Sequence, residues 1–212
     1  MTTPSTPYAA RLEIDYQEKL DRFTSFFRLI WIIPIFIILV LLTGSGGQTA
    51  AETGQHLERT GGGIASGLFV ATMLMIVFRQ RYPRWWFSFA RELLRFSTRV
   101  GAYLFLLTDH YPSTVDEQSV HLEFDYPDVE RDLNRWLPLV KWLLALPHYI
   151  VLAILGAIGI VVWVVAWFAI LFTGRYPRAL FDYIVGVARW GMRVAAYATL
   201  LVTDVYPPFS LK

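Results

Sequence analysis

The stretch RYPRWWFSFARELLRFSTRVGAYLFLLTDHYP, residues 81–112, decides the fold, because it returns as RYPRALFDYIVGVARWGMRVAAYATLLVTDVYP over residues 175–207. Each copy opens on an Arg-Tyr-Pro-Arg step, Arg81-Tyr82-Pro83-Arg84 and Arg175-Tyr176-Pro177-Arg178. Each closes on Thr-Asp-x-Tyr-Pro, with Asp109 and Asp204 in corresponding places. The interval from Arg81 to Arg175 also carries Arg95 to Arg189, Arg99 to Arg193 and Tyr103 to Tyr197, while the second closure lies one residue further along. Upstream, LEIDY at 12–16 matches LEFDY at 122–126, and Pro34 matches Pro147. The spacing predicts a duplication in which each half reads strand, helical hairpin, Tyr-Pro turn, amphipathic helix, Tyr-Pro turn.

Composition bounds the class. In 212 residues, 55% are hydrophobic and only 17% charged, which is too apolar for an ordinary soluble domain and predicts an integral membrane protein. The net charge is +2 and the arginines flank apolar runs, so nucleic acid is not an expected partner. The chain has no cysteine, which excludes disulfides and thiol catalysis. Its first apolar run has Arg28 at the entry and no small-residue cleavage site after it, so the N-terminus is expected to be retained.

The expected spans are about 26–43 and 62–80 in the first half and 137–155 and 157–173 in the second. As one helix the second block, about 36 residues, would reach about 54 Å. It is therefore expected to fold back on itself at Gly156 and Gly159. A polar connection, TGSGGQTAAETGQHLERTGGG at 43–63, joins the first pair. If both hairpins enter from one side, every one of the 19 Lys and Arg except Arg59 lies on that face, which the positive-inside tendency makes cytoplasmic, with both termini. A competing layout takes 84–107 and 179–203 as full spans, and would place Arg91, Arg95 and Arg99 at depth at about 2.5–3.5 kcal/mol each. The expected fold class is thus an all-α polytopic membrane protein of two parallel repeats. Each is a transmembrane helical hairpin plus an interfacial amphipathic helix (84–107, 179–203), with short cytoplasmic β-strands. The organisation is a flexible 1–10, repeat 1 at 11–113 and repeat 2 at 114–209.

Arg91, Arg95 and Arg99 fall on one helical stripe, and Arg189 and Arg193 on its counterpart. They are the candidate contacts to phospholipid headgroups, since guanidinium matches phosphate. Asp109 and Asp204 read as turn formers before an aromatic-proline step, with a proton relay or cation site as the alternative. His148 reads as a packed or hydrogen-bonded histidine. Gly63 and Gly67, and Ala153 with Gly156, form small-residue seams. No catalytic constellation, metal site or cofactor motif is found.

The doubled R-Y-P-R, the T-D-x-Y-P closure and the L-E-[IF]-D-Y lead together resemble a bacterial membrane family known as domain of unknown function 4389, over about Leu12 to Pro207. The resemblance implies a multi-pass protein of bacterial type in the inner membrane, and brings no activity with it. The expectation is a non-enzymatic lipid-interacting or scaffold subunit. Its partners would be membrane phospholipids, further copies of itself or a membrane complex. The alternative is a transporter or channel component for a small solute or lipid, working as an oligomer.

Overall fold

A computed structural model describes residues 8–43, 64–113 and 118–212. Most of the expected tail at 1–10 and nearly all of the 43–63 connection lie outside the described residues.

The alternating Leu12, Ile14 pattern forms strand β1 (Ala10–Ile14), and its counterpart forms β2 (Val120–Phe124). They pair antiparallel with Leu12 opposite Leu122, Ala10 opposite Phe124 and Ile14 opposite Val120. The two leads are therefore related by a local two-fold axis at the Leu12/Leu122 pair, the one place in the register where corresponding residues face each other. One face of this ribbon, with Ala10, Leu12, Val120, Leu122 and Phe124, is buried. On the other, Arg11 meets Asp125 at 2.7 Å.

A two-stranded ribbon is marginal alone, and two long helices hold this one. Helix α4 (Arg84–Leu104) and helix α8 (Arg178–Ala198) each start after an extended proline, Pro83 or Pro177, whose fixed φ suits the residue before a first helical turn. Strand β2 packs on α4 and β1 packs on α8, so each strand crosses to the amphipathic helix of the other half. The tyrosine that ends each lead hooks the same way. Tyr16 donates to the Tyr176 carbonyl at 2.6 Å, and Tyr126 donates to that of Tyr82. Arg178 lies 4.4 Å above the Tyr16 ring and Arg84 5.4 Å above that of Tyr126.

The apolar helices are α1 (Arg22–Trp31), α2 (Ile33–Thr43), α3 (Ile64–Arg79), α6 (Pro138–Leu144) and α7 (Leu146–Thr173), with one turn, α5 (Val129–Asp132), after β2. Here too the halves cross, α1 lying against α7 and α3 against α6. The chain bends by 41° between α1 and α2, and the α6 to α7 break at Ala145 stands in the same relation to Pro147 as the Ile32 break does to Pro34. Proline lacks the N–H and crowds the carbonyl four residues back, so the break falls just before it.

Two expectations are corrected. The turn at Gly156 and Gly159, and with it the division into spans 137–155 and 157–173, is absent: α7 runs unbroken through both glycines for 28 residues. A glycine inside a helix costs only about 1 kcal/mol against alanine, whereas a loop in an apolar block leaves several backbone groups unpaired. At about 42 Å the helix is also not too long to cross a core of about 30 Å with its interfaces. Among the described helices α7 alone is long and apolar enough to cross a membrane unaided, and α1 and α2 reach that only as a bent pair. The amphipathic helices are also shorter than 84–107 and 179–203. They end at Leu104 and Ala198, because Leu106 and Leu201 take left-handed φ of 65° and 58°.

Candidate functional site: two buried cation cages

After α4, the Leu106 N–H bonds the Tyr103 carbonyl and the Leu107 N–H bonds the Ala102 carbonyl, a Schellman closure with leucine where glycine is usual. After α8 the matching bond runs from Val202 to Ala196, spanning one more residue, and that is where the extra residue of the second closure is accommodated. Burial of both leucines offsets the left-handed backbone, and the turn aims the following Thr-Asp pair back into the protein.

What it aims at is a buried cation. Arg28, 2% exposed on α1, donates through Nη1 to the carbonyls of Tyr103 at 3.0 Å and Thr108 at 2.8 Å, and through Nη2 to Asp109. Its guanidinium stands 4.5 Å over the Tyr103 ring. The other Asp109 oxygen accepts the Asp21 N–H at 2.8 Å, and Asp21 itself caps α1 through the N–H groups of Phe23 and Thr24.

The second half repeats this with lysine. Lys141 on α6 is fully buried, donates to the Thr203 carbonyl at 2.8 Å and pairs with Asp204 at 2.6 Å, 5.2 Å over the Tyr197 ring. The second Asp204 oxygen accepts the Asn134 N–H, and the Asn134 side chain accepts from Trp136 at 3.0 Å. Thr108 and Thr203 each accept the N–H two residues on. Each cage therefore locks an apolar helix to the end of an amphipathic one.

Asp109 and Asp204 are thus more than turn formers: each holds a buried cation. The partners Arg28 and Lys141 are missed when they are read only as charges at the edge of apolar runs. A signal was present, since the interval from Pro34 to Pro147 also carries Arg28 to Lys141 and Asp21 to Asn134.

The arginine stripes have backbone partners as well. Arg95 donates to the Leu122 carbonyl at 3.0 Å and Arg189 to that of Leu12 at 3.1 Å. Arg99 binds the Ser113 carbonyl at 2.7 Å, and Arg193 those of Ser210 and Lys212. Burial, with Arg189 nearby, draws Arg193 below the ordinary arginine value. A two-stranded ribbon has two open edges whose carbonyls need donors, and arginine, all donor and no acceptor, supplies them. Arg91 and Arg95 also pair with Glu92, at 3.1 and 3.0 Å. Arg95, Arg99, Arg189 and Arg193 thus spend donors on the ribbon and the tail segments.

At the corners, Tyr82 and Tyr176 are buried, and burial pushes the Tyr82 phenol up to about 12 and raises Tyr176 likewise. Arg175 pairs with Glu18 and Arg178 with Asp182, while Arg81 and Arg84 stand exposed. His148 is buried, accepts the Trp190 indole N–H at 3.2 Å and stacks on Phe209, so its proton sits on Nε2. Among the described residues no three His, Asp or Glu side chains gather to hold a metal ion.

Lys141, Tyr197, Thr203 and Asp204 of the second cage lie inside a stretch with a family match, and Asn134 lies just before it. Residues 136–210 match the family described as Domain of unknown function (DUF4389). The DUF4389 stretch takes in α6, α7, α8 and the closing Tyr-Pro, and leaves β2 outside. No curated protein and no solved structure matches the chain.

Proposed function

We propose that the protein is an integral inner-membrane protein of bacterial type, built from two interlocked units of the DUF4389 kind, and that it serves as a non-enzymatic scaffold or accessory subunit. One observation carries this reading: burial in α1 and α6 is inverted. The buried side chains of α1 are Ser25 and Arg28, while Phe23, Phe26, Leu29, Ile30 and Trp31 are exposed. In α6, Pro138 and Lys141 are buried while Leu139, Val140, Trp142, Leu143 and Leu144 are exposed. Water would reverse both choices, and hydrocarbon favours them. Helix α2 buries nothing, and α7 buries only His148, Gly159, Ala166 and Ile170. Such exposed large apolar side chains along α1, α2, α6 and α7 are what a surrounding hydrocarbon phase would cover.

The chemistry of the cages supports a scaffold role. The buried charges are neutralised in pairs and bonded to backbone, which leaves no free base or nucleophile in the cages. Transport finds less support, since those charges brace helices. The test is membrane fractionation with an alkaline carbonate wash, followed by thiol labelling of single cysteines placed at His110 and His121. The protein should stay in the pellet with both positions labelled from the cytoplasmic side. Release into the wash refutes membrane integration, and periplasmic labelling of either position refutes the one-sided layout. Flux of a small solute through liposomes holding the purified protein would favour the transport alternative.

A further inference from the structure

The Arg-Tyr-Pro corner differs between the halves in one respect that bears on binding. In the second half its arginines are neutralised, Arg175 by Glu18 at 3.5 Å and Arg178 by Asp182 at 3.1 Å. In the first half Ser88 stands where Asp182 does, and Asp128, in the place of Glu18, meets Arg131 at 3.7 Å. A third arginine, Arg79, replaces Thr173. Among the described residues Arg79 and Arg81 have no ion pair or side-chain hydrogen bond, and Arg84 has only the Tyr126 ring.

These arginines border an open concavity of about 720 Å³, together with Tyr126, Asp128 and Glu130. That volume suits a small polar ligand. Gln80, on its wall, holds a left-handed φ of 47° where the other half has Gly174, a strained backbone of the sort retained at binding sites. The concavity lies at the polar end of α3, and Val70, Leu74 and Phe78, four residues apart, form an exposed apolar line along that helix up to it. Phe78 and Trp85, beside the concavity, are 71% and 70% exposed.

Resting on the membrane reading above, we propose that this concavity binds a zwitterionic glycerophospholipid headgroup. Arg79, Arg81 and Arg84 hold the phosphate, and Asp128 and Glu130 hold the ammonium. Guanidinium pairs with phosphate oxygens bidentately, and one acyl chain follows the α3 line. The apolar line is what favours a lipid over a free phosphate ester.

The test is native mass spectrometry of the whole protein in mild detergent, titrated with phosphatidylethanolamine, phosphatidylglycerol or inorganic phosphate. Arg79→Ala/Arg81→Ala/Arg84→Ala should weaken phosphatidylethanolamine binding by about tenfold or more, and Arg175→Ala/Arg178→Ala by no more than about twofold. Should the triple variant unfold, Arg81→Gln, at an exposed side chain, replaces it with a smaller loss in the same direction. Equal retention by wild type and triple variant, or equal loss in both variants, overturns the site. Tighter phosphatidylglycerol binding overturns the headgroup class, and displacement of lipid by inorganic phosphate overturns the lipid source. Each of these results is compatible with a protein that resists the carbonate wash, so failure here is distinct from failure of the membrane reading.

Discussion

Arg28 and Lys141 set the energetics at the scale of single residues. Removing one member of a buried pair leaves the other charge uncompensated, at about 3–5 kcal/mol. Asp109 and Asp204 keep some solvent contact, which places Asp109→Asn and Asp204→Asn at the lower end, about 3 kcal/mol each by thermal unfolding in detergent. Arg28→Lys should cost only about 1 kcal/mol, the worth of one lost hydrogen bond, because lysine already fills the equivalent place in the second half. Leu201→Gly pits two effects against each other. Glycine relieves a left-handed backbone worth about 1–2 kcal/mol, but it removes a fully buried side chain whose loss costs about 2–5 kcal/mol. Packing wins, and the same unfolding measurement should show a net loss.

Elements are joined here by hooks between the halves. Tyr16→Phe and Tyr126→Phe each remove one donor to a corner carbonyl and should destabilise by about 1 kcal/mol, read from the unfolding midpoint. The C-terminal tail is seated on α8 at Gly186, where a Cβ would come within 2.8 Å of the Leu211 carbonyl. Gly186→Ala should therefore lift this segment, release Arg193 from Ser210 and Lys212, and speed amide hydrogen exchange over residues 209–212. The strands, the apolar runs and the amphipathic helices were legible as elements, because period and composition are local properties. The unbroken α7 was not, since a helix through Gly156 and a turn at Gly156 share one composition and differ only in where the backbone bonds go.

Across the whole molecule the crossing of strands makes the halves interdependent. Residues 114–212 expressed alone lack β1, the strand that covers α8, and should not fold. Co-expression with 1–113 should restore a complex in which an untagged half co-purifies with a tagged one. A folded, monodisperse 114–212 fragment would contradict the interlock. The arginine stripes belong to this scale as well: their spacing predicts a surface, and only the crossed strands supply it with carbonyl partners.

By itself the sequence determined the paired motifs, the apolar character of the helices and the corners where proline ends one element and starts the next. These depend on residue type and spacing along the chain. Only the tertiary structure decided that Arg28 meets Asp109, that Lys141 meets Asp204, and that each strand serves the other half's helix. Those contacts join residues far apart in sequence, and a charge buried at low dielectric persists only where folding brings its partner to it.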